Sequence, residues 1–153
     1  LQKVSFSWRQ DDANGYDSRN MGNALSGNDT LKRIVTYHLP AILYAALIIA
    51  VSSIPDLKTP KIIDFQFDKV IHFLEYALLA FLAYRSFTHL GVKITHHKAF
   101  LLSALFLGGF AVMDEIYQRT VPGRDSAIGD LSMDLAGAAL VLILLWYRGK
   151  SRN

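Results

Sequence analysis

IVTYHLPAILYAALIIAVSSI, residues 34–54, decides the fold class. It carries no charged side chain. As a helix it is long enough to cross a bilayer core of roughly 30 Å, which takes about 20 apolar residues. Pro40 lies near its start, where a neighbouring helix or a kink absorbs the missing backbone donor. Lys32 and Arg33 precede the stretch and small residues follow at Ala50–Ser53, as in a cleaved signal peptide. The apolar run nevertheless exceeds the usual signal core of about 7–15 residues, so a retained span is the preferred reading.

Three further stretches read the same way: Lys69–Phe87, Lys98–Gln118 and Asp130–Tyr147. The last two are apolar over most of their length and polar at one end. Across all 153 residues the hydrophobic fraction is 52% and the mean hydropathy is +0.24. That is high for a soluble domain, and the apolar residues are concentrated between Ile34 and Tyr147. The predicted fold is all-α: an integral membrane bundle of four transmembrane helices, up-and-down. Residues 1–33, polar and rich in Asn, Gly and Ser, are expected to form a flexible leader. Met21 is a candidate native start, so residues 1–20 are left out of the functional reading. Residues 34–147 form the membrane domain, and 148–153 a basic cytoplasmic tail.

The absence of cysteine excludes a disulfide framework, a thiol nucleophile and a Cys-ligated zinc site. A net charge of +3 could suggest nucleic acid. The basic residues, however, gather at the ends of apolar runs, as orientation signals do, so no nucleic-acid partner is expected. Lys32, Arg33, Arg85, Lys93, Lys98, Arg148, Lys150 and Arg152 lie on one side of the bundle. Lys58, Lys61, Lys69, Arg119 and Arg124 lie on the other. The bias places both termini in the cytoplasm and the loops 55–68 and 119–129 outside.

The functional signal is where ionisable residues enter the apolar sequence. Asp68, His72, Glu75 and Tyr76 share one helical face, with Lys69 beside it. Asp114 and Gln118 are one turn apart at the end of the third span, next to Glu115. Arg119, a Pro122-Gly123 turn and Arg124 follow. Asp130 is read as the N-cap of the fourth helix, with Asp134 one turn later. Up-down topology carries all three clusters to one end of the bundle. Glu75, Asp114 and Asp134 lie a turn or more into apolar sequence, where a charge is costly. They are expected to face inward and pair with Lys69, His72, Arg119 or Arg124. Small residues at Gly108-Gly109 and Ala136-Gly137-Ala138-Ala139 invite close helix packing. His38 is expected to be an interfacial histidine away from this cluster. His89, His96 and His97 are read as part of the opposite, short loop. No phosphate loop, serine elbow or HExxH motif occurs, and no metal site is assigned.

The chain resembles the VanZ-like family of small integral membrane proteins. The resemblance rests on Asp68-Lys69-Val70-Ile71-His72-Phe73-Leu74-Glu75-Tyr76, on Asp114-Glu115-Ile116-Tyr117-Gln118, on Pro122-Gly123-Arg124, and on Asp130 with Gly137. The order and the placement at span ends agree, over roughly Ile34–Tyr147. Where the family pattern is expected to carry asparagine, this chain has Asp134. The resemblance implies a multi-pass protein of the bacterial cell envelope, in the inner (plasma) membrane. It also implies a link to susceptibility to the glycopeptide antibiotic teicoplanin.

Three functional classes stay open. The first is a binding protein for a lipid head group or other anionic envelope ligand, with membrane lipid or a lipid-linked envelope precursor as partner. Its site would comprise Asp68, Lys69, His72, Tyr76, Asp114, Glu115, Gln118, Arg124, Asp130 and Asp134. The second is a membrane-embedded enzyme acting on a lipid-linked phosphate or pyrophosphate. There His72, Glu75 and Asp114 are the catalytic candidates, with acids able to hold a hard divalent cation. The third, an ion-coupled carrier, ranks last, because polar residues do not continue toward the other side. Cofactor and oligomeric state are not specified by the sequence.

Overall fold

The computed structural model describes residues 27–55, 65–92, 94–124 and 128–150. The expected leader as far as residue 26, Lys58, Lys61, Lys93 and residues 151–153 lie outside the described residues. Four helices make up the described residues: α1 Gly27–Ser52, α2 Phe65–Thr88, α3 His96–Gln118 and α4 Ile128–Lys150. All four are long and apolar enough to cross a membrane, and no strand occurs among the described residues. The expected all-α bundle of four spans is what the chain forms.

Local chemistry sets the helix ends. α1 is helical from Gly27, so residues 27–33 belong to the first helix and not to the leader. Asp29 in its first turn suits the positive end of the helix dipole. Residues Ile34–His38 then widen into a π-helical turn, in which the Leu39 N–H reaches the Ile34 carbonyl. This turn sits directly ahead of Pro40, whose ring would crowd the carbonyl of Thr36 in a regular α-helix. At α3 the N-cap is Thr95, whose hydroxyl accepts from the Lys98 N–H at 3.3 Å. His96 and His97 therefore open the helix instead of lying in the loop. α4 starts at Ile128, so Asp130 is inside its first turn and is not the N-cap. At the other end α4 continues to Lys150, past the hydropathy boundary at Tyr147.

α2 and α4 share the most extensive interface, α3 packs on both, and α1 is peripheral. Only 6% of the apolar window of α1 is buried, against 33% for α2. The core runs through Tyr76, Leu79 and Ala80 of α2, Ala99, Leu107 and Ala111 of α3, and Ala138 and Leu142 of α4, with Ile48 from α1. Leu105, Leu43 and Ile143 are exposed, as expected of side chains that face hydrocarbon.

At Gly137 the backbone of α4 lies close against that of α2. A Cβ there would overlap the backbone carbonyl of Phe73. With lipid as solvent, such close backbone contact is what drives helix association. The expectation for Gly108-Gly109 fails: nothing lies within 4 Å of a Cβ built at either position. Ala136 and Ala139 are likewise exposed, so the packing stripe reduces to Gly137 and Ala138. Gly137→Ala should therefore destabilise the bundle by about 1–3 kcal/mol. Gly109→Ala should be neutral or stabilising by up to about 1 kcal/mol, from helix propensity alone. Thermal unfolding of both variants in detergent checks the contrast, and equal shifts would refute the close crossing.

Candidate functional site: a polar mouth

Side chains from α2, α3, α4 and the connection after α3 meet at one end of the bundle, joined by the last turn of α1. α2 and α4 both start there and run away from it in parallel, so equivalent turns face each other. Lys69 Nζ donates to Asp130 Oδ1 at 3.2 Å. One turn deeper His72 Nδ1 is 3.1 Å from Asp134 Oδ1. With the carboxylate accepting, Nδ1 carries the hydrogen and Nε2 is left for another partner. Asp68, His72 and Asp130 each offer a ligand atom, all within 4.8 Å of one another, an arrangement that spacing did not single out.

Across the mouth, α3 meets α1. Asp114 Oδ2 accepts from Ser52 Oγ and from Gln118 Nε2, each at 3.2 Å, and Gln118 Nε2 also donates to Ser52 Oγ at 3.0 Å. Beside it Ser53 Oγ and Tyr117 Oη are 2.9 Å apart. Arg124 Nη2 donates to the Val51 carbonyl at 2.8 Å. That carbonyl belongs to the last turn of α1, where it also accepts from the Ile54 N–H at 3.2 Å, at the negative end of the helix dipole.

The pairing differs from the expected one. His72–Asp134 is an expected ion pair, but Asp114 is held by a serine and a glutamine and not by a cation. The reason is that Arg124 is drawn to the end of α1. Glu75 has no hydrogen-bond or ion-pair partner among the described residues. Sequence reading found α1 as a span but missed its part in the mouth. Ser52 and Ser53, small polar residues at the end of an otherwise apolar run, were the available signal.

The rest of the mouth is one electrostatic unit. Tyr76 is within electrostatic range of Asp134, Asp114, Glu75 and Glu115. Glu75 and Asp114 both feel His72 and Arg124. Asp114 is therefore within electrostatic range of both His72 and Arg124, which come from separate stretches. Among the described residues four buried atoms have no hydrogen-bond partner: Tyr76 Oη, Asp114 Oδ1, Glu115 Oε1 and Arg124 Nε. Tyr76 is 0% exposed, Asp114 2% and Glu115 5%.

The remaining histidines lie at the opposite end. His38 Nδ1 is 2.7 Å from Ser86 Oγ, as suits a satisfied interfacial residue. His96 Nδ1 is 3.1 Å from Tyr84 Oη, and the His89 ring stacks on Tyr37 at 3.7 Å.

Ser52→Ala removes one donor from a buried carboxylate and should destabilise the protein by about 1–3 kcal/mol. Ser53→Ala, at an exposed bond, should cost less. Denaturant titration of the two variants measures the difference.

A family model described as VanZ/LLP1 matches residues 6–148. No curated protein and no solved structure matches the chain. The family match covers α1, α2, α3, α4 as far as Arg148 and every residue of the mouth, and the chain belongs to the VanZ/LLP1 family.

Proposed function

We propose that this multi-pass membrane protein binds the polar head group of a membrane lipid, or of a lipid-linked envelope precursor, at the mouth. The observation that carries the reading is the set of four buried polar atoms without hydrogen-bond partners among the described residues. Each costs about 1–3 kcal/mol while unsatisfied. A polar ligand with complementary groups would recover that cost, and lipid head groups are the polar molecules at that depth of a bilayer. Arg124 is the anchor for phosphate, because one guanidinium nitrogen stays unpaired while another fixes the side chain to α1. The lysine and arginine bias favours both termini in the cytoplasm and the mouth at the outer face of the bacterial plasma membrane. An influence on teicoplanin susceptibility, implied by the family, would follow from occupancy of envelope lipids at this face.

Arg124→Ala should reduce co-purified lipid about tenfold or more, the loss of one charge-assisted hydrogen bond. Mass spectrometry of the purified protein measures it, with thermal unfolding to confirm that the bundle persists. Unchanged lipid content in a folded variant would refute the reading.

The His72–Asp134 pair favours a second reading, an enzyme acting on a lipid-linked phosphate or pyrophosphate. Asp134 would orient the imidazole, and Nε2 would move the proton. Asp68, His72 and Asp130 would alternatively hold a hard divalent cation against the phosphate. That reading requires phosphate release from a polyprenyl pyrophosphate by the wild type, and its loss in a folded His72→Ala variant. Equal rates in the two would exclude it.

A further inference from the structure

The unsatisfied atoms at the mouth are of two opposite kinds. Asp114 Oδ1 and Glu115 Oε1 only accept while the acids are ionised. Arg124 Nε only donates, and the Tyr76 hydroxyl has a hydrogen to give. An occupant that satisfies them all must itself offer both donors and acceptors.

The charges are also lopsided. The Lys69 ammonium is bonded to Asp130, and His72 is bonded to Asp134. The hydrogen-bond partners of Asp114, Ser52 and Gln118, are uncharged. Glu75 has no such partner among the described residues; it is within electrostatic range of Asp114 and Asp134, and both it and Asp114 are within range of His72 and Arg124. Buried carboxylates need a cation close by. Neither His72 nor Arg124 bonds Asp114 Oδ1 or Glu115 Oε1, so the carboxylate side of the mouth has room in its bonding for a further positive group with several N–H bonds, and the Arg124 side for an anion.

We propose that the ligand is a zwitterionic amino-phosphate head group of the phosphoethanolamine type. Its primary ammonium donates to Asp114 Oδ1 and Glu115 Oε1, while its phosphate accepts from Arg124 Nε and Tyr76 Oη. This rests on the head-group reading above and narrows it. A phosphoglycerol head group would bring neutral hydroxyls and no positive charge to the carboxylates. A phosphocholine head group carries a positive charge but no N–H to donate. A bare divalent cation would suit the acids and leave the Tyr76 and Arg124 donors unmet.

The test is native mass spectrometry of the full chain. The protein is equilibrated in mixed micelles with equal amounts of phosphatidylethanolamine, phosphatidylglycerol and phosphatidylcholine of matched acyl chains. The expected result is an excess of ethanolamine adducts of about fivefold or more over each competitor. Glu115→Gln and Tyr76→Phe, which preserve shape, should bring that excess toward parity while the melting temperature shows a folded bundle. Parity among the three lipids in the wild type, or a preference for phosphatidylglycerol, overturns the ethanolamine assignment and leaves head-group binding standing. So does an ethanolamine excess that both variants retain. Adducts that form only with added magnesium and disappear with chelator assign the acids to a metal and also overturn it. Retention of no lipid above the micelle background defeats both this inference and the head-group reading.

Discussion

The contact on which the mouth depends is the near touch of two backbones where α4 crosses α2. Gly137 lies against the Phe73 carbonyl because it has no side chain. The two helices run in parallel from that end, so the turns above the crossing are brought into line. His72 then meets Asp134, and Lys69 meets Asp130. A polar pair in hydrocarbon gains little unless the partners are delivered at bonding distance, since neither can turn to water. The crossing delivers both. Packing and polar satisfaction are thus one constraint here, and the site is a by-product of how the bundle closes.

α1 contributes differently. It buries little surface and holds on through few apolar contacts. At its last turn, however, Ser52 bonds Asp114 and the Val51 carbonyl receives Arg124. The helix that matters least to the core closes the mouth on one side. Its attachment there is polar, so it competes for the same donors and acceptors as any occupant of the mouth.

The spans were legible because a charge-free run such as residues 34–54 has one stable solution in lipid. The face carrying Asp68, His72, Glu75 and Tyr76 was legible from helical spacing, and the end at which the clusters meet followed from topology. The pairings were not. Spacing along one helix says nothing about the azimuth of its neighbour, so Arg124 was expected on a carboxylate when a helix end was the stronger attractor. The Gly108-Gly109 pair was misread for the same reason: a small residue permits close approach, but a partner must be opposite. Ser52 was overlooked because a serine in an apolar run gives no charge signal, although it bonds the most buried acid of α3.

The widened turn at Ile34–His38 has a bearing on how members of the family are compared. A π-helical turn holds one residue more than the α-helical turn it replaces. One residue advances an α-helix by about 100°. Everything after His38, Ser52 included, is therefore rotated relative to the segment before it. A chain lacking that extra residue, with a regular first helix, would present the same serine to the same acid while showing a different face to lipid near its start. Aligned by position alone, the two would look one place out of step through half a helix, and the offset would be mistaken for divergence at the mouth.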